Sequence, residues 1–199
     1  MLFDDTYKTI MHPSEGLYRD KGSKFIAYLY PITSENDIKE IITILKAEHP
    51  KARHQCWALR LSSDRSVFRL NDDGEPSGTA GRPILNTLLS NDLTNILAVV
   101  VRYFGGTLLG VSGLINAYKS ATIEAVKNAE IIQKTVNSIF RIEFRHHQMN
   151  EVMKIVKEED LKISNQNFDL NCSFELDIRQ SQVNKVLERF GKVEGLKWK

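Results

Sequence analysis

Cysteine, long apolar runs and excess charge are all scarce in this chain, and each shortage removes a class of protein. The only two cysteines in 199 residues, Cys56 and Cys172, lie far apart with no CxxC partner. That spacing speaks against a disulfide framework and a zinc knuckle. Residues 1–12 form neither a signal core nor a transit peptide, and no apolar run approaches the roughly 20 residues that a membrane span needs. The expectation is therefore a soluble protein in a reducing, cytoplasmic compartment, with no membrane partner. A net charge of +2 is too small to announce a nucleic-acid binder, because counterion release requires several basic groups on one surface. The balance is also even along the chain: Met1–Glu130 carries 15 basic and 15 acidic residues, and Ile131–Lys199 carries 12 and 10.

What is present is apolar patterning. With 42% hydrophobic residues the chain can bury one good core or two small ones. In the last third the period switches between two and 3.6. Val136, Phe140, Ile142 and Phe144 share one parity, as on a half-buried strand. Met149, Val152, Met153 and Val156, then Val183, Val186, Leu187 and Phe190, fall at helical spacing, the second set closed by Gly191. Between these helices a short strand near Leu161, a turn at Asn165-Gln166-Asn167, and a strand carrying Phe168, Leu170, Cys172, Phe174, Leu176 and Ile178 are predicted. With a last strand near Val193–Trp198 the order is β-α-β-β-α-β, the ferredoxin-like pattern. Its open face lacks the aromatics of an RNA-recognition sheet and carries Arg141 and Arg145 opposite Glu175 and Asp177, which predicts cross-strand salt bridges. Such a unit suits docking or dimerisation.

The first part is less regular. Strands are predicted at Lys24–Pro31, His54–Leu61, Ser66–Leu70 and Ile96–Val101, the last apolar on both faces as in a covered central strand. Ser34 and Asp37 cap a helix with the stripe Ile38, Ile41, Ile42 and Leu45; a short helix spans Ile84–Leu89; and Ser112 caps a helix running to about Ala129. The domain junction is expected within Ala129–Thr135, which separates domains at 1–131 and 135–199.

Three stretches could carry chemistry. Asn71–Pro83 packs three glycines, two prolines and the carboxylates Asp72, Asp73 and Glu75 beside Ser77, Thr79 and Arg82. It reads either as a ligand or general-base loop or as an ordered turn whose carboxylates cap backbone N–H groups. Gly105, Gly106 and Gly110 follow a buried strand and precede a helix, with Arg102 alongside, which is either an anion site or a packing joint. Lys51, Arg53, Arg60, Arg65 and Arg69 face a single acid, Asp64, across a strand pair, and this is either a solvated face or a surface for an anionic partner such as nucleic acid. His54 and Cys56 share a strand face without an orienting third group, so a Cys/His nucleophile is poorly supported. The sequence implies no metal and no cofactor.

The runs Gly22–Ala27, Ala52–Ala58, Asn71–Pro83 and Val100–Gly110, in this order and spacing, resemble the N-terminal domain of the YigZ/Impact family, and the remainder is similar to the C-terminal domain of its bacterial members. The resemblance implies an α+β chain: a ribosomal protein S5 domain 2-like domain followed by a ferredoxin-like one. It also implies a non-enzymatic, translation-linked regulator, with RNA, the ribosome or a translation-related protein as partner and oligomerisation possible through the C-terminal domain. The alternative is an enzyme acting on a phosphorylated or acidic small molecule at Asp72–Glu75 and Gly105–Gly110. Where relatives often carry Lys and Arg, this sequence has Leu108 and Asn116, which removes positive charge beside the glycine loop.

Overall fold

The computed structural model describes residues 5–169 and 171–199, so Leu170 lies outside the described residues. The chain is α+β and divides into two compact units, residues 7–134 and residues 135–199, the latter together with Asp5 and Thr6. In the first unit the elements run β1 (Thr6–Ile10), β2 (Ser14–Asp20), β3 (Ser23–Pro31), α1 (Asp37–Glu48), β4 (His54–Leu61), β5 (Val67–Asn71), α2 (Gly81–Ser90), β6 (Ile96–Tyr103), α3 (Gly110–Lys127) and β7 (Ile131–Thr135). β1 pairs with β7, and five antiparallel strands form a sheet in the order β2-β3-β6-β4-β5.

β6 lies in the middle of that sheet, and Ile96–Val101 are fully buried. Strand alternation sends Ala98 and Val100 into a core with α2 and α3, and Leu97, Val99 and Val101 into a second core with α1. Helices on both faces are why this strand reads as an unbroken apolar run. Leu45 is the fully buried member of the α1 stripe, with Ile38, Ile41 and Ile42 packed beside it. On the opposite face β2 lies so close to α3 that a Cβ at Gly16 would stand 2.1 Å from the Ala125 amide nitrogen. The helix cap predicted at Ser112 is three residues late: α3 begins at Gly110, after Leu109 and with no side-chain cap, and Ser112 sits exposed in its first turn.

In the second unit come β8 (Asn137–Phe144), α4 (Met149–Glu158), β9 (Lys162–Phe168), β10 (Cys172–Arg179), α5 (Val183–Phe190) and β11 (Lys197–Trp198), with sheet order β11-β8-β10-β9. Ile142, Phe144, Phe174 and Leu176 pack on Val152, Ile155, Val186 and Phe190. Ile155 is buried in the α4 stripe and Met153 is exposed. The turn predicted at Asn165-Gln166-Asn167 is instead strand: Asn165 takes φ +49° where the β9–β10 register shifts, so the polar residues absorb a bulge. The predicted cross-strand salt bridges do not form. Arg141 stands opposite Glu175, but its guanidinium lies 3.4 Å from Glu143 and 3.3 Å from the Ser173 hydroxyl, while Glu175 accepts from Asn165. Arg145 falls beyond the end of β8.

Asp5, placed in the first domain by the sequence reading, is held by the second unit. Arg179 donates to both its carboxylate oxygens at 2.7 Å, and the Ser181 amide adds a third bond. Those donors hold the Asp5 carboxyl well below the usual carboxylate range, the Arg179 bonds first. A depressed folded pKa contributes stability above the unfolded aspartate value of about 3.9 and loses it as pH falls toward the lower folded value. Thermal melts should therefore show Asp5→Asn less stable than the parent at neutral pH, with the gap closing below about pH 4. A gap independent of pH would contradict this linkage.

Candidate functional site

The alternation that buries Ala98 and Val100 carries Arg102 to the same face, near the end of β6. Register places Phe25 of β3 on one side of it and His54 of β4 on the other. An arginine delivered into a core needs a counter-ion, since a lone buried charge is prohibitively costly. Glu75 supplies it: Arg102 Nη1 donates to Glu75 Oε1 at 2.5 Å, with the two side chains only 7% and 4% exposed. Tyr118 of α3 donates its hydroxyl to the same oxygen at 2.8 Å. The guanidinium carbon lies 5.5 Å from the Phe25 ring centre and 5.6 Å from that of Phe104, so the cation is flanked by two aromatic rings.

Cys56, two residues along β4 from His54, closes the network, its sulfur 3.3 Å from the Tyr118 hydroxyl and 2.9 Å from the Asp72 carbonyl. Burial pushes its thiol up, out of the range of a reactive thiolate, and burial likewise raises the Tyr118 hydroxyl. His54 donates Nδ1–H to the Asp73 carbonyl at 2.8 Å and does not bond Cys56. The His54/Cys56 pair is structural.

The carboxylates of the 71–83 loop divide. Asp72 accepts from the Gly78, Ala80 and Gly81 amides at 2.8–3.1 Å, which caps α2 and starts it three residues before the predicted Ile84. Asp73 accepts from the Gln55 amide at 2.6 Å, with its own backbone at φ +43°. Only Glu75 reaches the cleft. At the second loop, the Gly105 amide donates to the Ser23 hydroxyl, and a Cβ there would stand 1.9 Å from the Gly22 carbonyl carbon. Close backbone packing therefore explains Gly105, while Gly106 is exposed.

The two loops do meet. Glu75 and Pro76 on one side and Phe104, Leu108, Gly110 and Val111 on the other line a cleft of about 450 Å³ above the ion pair. Arg53 and His54 complete its rim, and Leu114 is part of its apolar wall. Arg82 lies on α2 beside a separate hollow with Asn86 and Lys119. Of the basic strand pair, Arg60 and Arg65 are 3.5 and 2.8 Å from Asp92, and Arg69 is 3.4 Å from Glu35, whereas Lys51 and Arg53 are exposed. His49, isolated in the sequence, bridges the hydroxyls of Tyr28 and Tyr103 at 2.7 and 2.8 Å; burial pushes Tyr28 up to about 12. Among the described residues no group of three His, Cys, Asp or Glu could hold a metal ion, and no helix is long and apolar enough to cross a membrane.

Comparison with known proteins agrees with the order of these motifs. Residues 21–126 match the Impact N-terminal domain. The chain is 37% identical over 172 residues to an IMPACT family member of Haemophilus influenzae, covering 85% of this chain and 82% of the relative. It is 35% identical over 150 residues to the IMPACT family member YigZ of Escherichia coli, covering 74% of each. A crystal structure of a hypothetical protein superposes with a TM-score of 0.74 at 28% identity, covering 98% of this chain and 96% of that one.

Removing the third member of the network should be costly without touching the cleft wall. Tyr118→Phe should lower stability by about 2 kcal/mol in urea melts, because the buried carboxylate loses a hydroxyl donor; a change of a few tenths would contradict the network. Cys56 should resist a thiol reagent in the native protein and react fully once the chain is unfolded, while rapid native modification would refute its inert assignment.

Proposed function

This chain belongs to the IMPACT family, and on that premise we propose that it is a non-enzymatic, translation-linked binding protein whose contact site is the cleft between Pro76 and Phe104. The translation link follows from the family resemblance. The non-enzymatic part rests on one observation: each acid of the Asp72–Glu75 loop holds at least one protein donor in place. A general base has to be free to meet the substrate rather than committed to holding the fold, and a nucleophile needs an accessible, activated atom. Asp72 and Asp73 hold backbone amides, Glu75 holds Arg102, and Cys56 is buried.

Nucleic acid is the weaker choice of partner. Affinity for a phosphate backbone grows with the number of cations that can reach it. Here Arg60 and Arg65 are tied to Asp92, Arg69 to Glu35 and Arg102 to Glu75, which leaves Lys51, Arg53 and Arg82 as the exposed candidates without such an acid. A translation-related protein or ligand that is acidic and partly apolar matches the cleft better. The finer fold assignment belongs to the same proposal: strand order β11-β8-β10-β9 supports a ferredoxin-like second domain, beside an S5 domain 2-like first domain.

Added to a cell-free translation system, the purified chain should change reporter output in a dose-dependent way, and Arg53→Glu combined with Phe104→Ala should abolish the effect. Output unchanged by the parent chain, or changed equally by the variant, would contradict the proposal.

A further inference from the structure

On the reading that the cleft binds its occupant rather than transforming it, we infer that it receives a small monoanion with an apolar body, a carboxylate carried on an aryl or branched aliphatic group. The charge comes first. Arg102 lines the cleft with its side chain 7% exposed, and its Nε has no hydrogen-bond partner among the described residues. Glu75 occupies Nη1. The Nε–H of this buried guanidinium therefore lacks a protein acceptor, whereas buried donors are ordinarily satisfied. Arginine also presents its donors in a planar array that suits a carboxylate.

A second feature converges on the same space. Gly110 and Val111 open the 18-residue helix α3, which has no side-chain cap, and both line the cleft. Free N–H groups and the positive end of the helix dipole favour an anion there. Counting formal charges on the cleft, Arg53 and Arg102 stand against Glu75, which leaves one net positive charge. A monoanion is matched by that balance and a phosphate dianion is not.

The walls decide the rest. Leu108 is 82% exposed and Val111 59%, and with Leu114, Pro76 and the half-exposed face of Phe104 they form an apolar lining. Large side chains left this open around a concave surface mark a place where something apolar is covered. About 450 Å³ lies in the range of small-molecule sites. Leu108 extends the apolar wall at a position where a lysine would instead have added a second free charge.

The test uses phenylbutyrate, its neutral amide phenylbutyramide, and inorganic phosphate, each titrated into the isotope-labelled full chain and followed by NMR. Phenylbutyrate should give saturable, one-site shifts at the Gly110 and Val111 amides and at Arg102 Nε–H, with the amide at least about tenfold weaker for want of the charge-assisted bonds. Inorganic phosphate should not saturate these residues at millimolar concentration. Val111→Glu, at an exposed position and with the parent's melting temperature, should lose phenylbutyrate binding. The inference is overturned if phenylbutyramide binds as well as phenylbutyrate, if phosphate saturates the same amides first, if Val111→Glu binds normally, or if no saturable shift appears. Binding is read on the purified chain, so its failure is distinct from a missing effect on translation.

Discussion

A cation at the end of a buried strand imposes its requirements on everything around it. Arg102 stands where β6 would otherwise continue its apolar run, and its charge cannot be left in the core unpaired. Glu75 is brought to it from 27 residues upstream, Tyr118 from 16 residues downstream, and Phe25 and Phe104 enclose the guanidinium. Four segments that are remote in the chain are thereby fixed to one another: β3, the 71–83 loop, the strand-to-helix joint and α3. Breaking such a pair leaves a buried charge, so its members cannot vary one at a time.

The turn chemistry of the two loops follows from this requirement. For Glu75 to reach Arg102, the chain after β5 has to reverse tightly, and Asp73 accepts a left-handed backbone to do so. Asp72 then gathers three amides and starts α2. Across the cleft, Gly105 lets the joint lie directly on the Gly22–Ser23 backbone, and so Phe104 is held above the guanidinium. The acidic and glycine-rich composition that looks catalytic in one dimension is in large part the means of positioning one ion pair. What remains exposed, an arginine rim, a helix N-terminus and an apolar wall, suits binding.

Patterns governed by nearest neighbours were legible in the sequence. Period-two and 3.6 alternation predicts the α1 stripe and the β-α-β-β-α-β order, and an unbroken apolar run predicts the covered central strand, because burial writes itself into local spacing. Pairings set by tertiary geometry were not. Nothing around Asp5 points to Arg179, 174 residues away, and Tyr118 sits unremarkably among helical apolars until Glu75 arrives. Arg60 and Arg65 counted as free basic groups because Asp92 is distant in sequence. Arg102, read in the sequence as lying beside the glycine loop, is bonded to Glu75 and lines the cleft. Its strand parity with Ala98 and Val100 was the one signal that could have placed it inside.

The most direct measurement of the central claim is a double-mutant cycle on Glu75 and Arg102, using Glu75→Gln, Arg102→Met and the combination, with stability read from urea melts. Each single substitution leaves a buried group without its partner and should cost about 3–5 kcal/mol. The double variant should cost less than the sum, with a coupling energy of about 1–3 kcal/mol. Additivity within about 0.5 kcal/mol would mean that the two residues do not depend on each other, and would contradict an ion pair that organises the site.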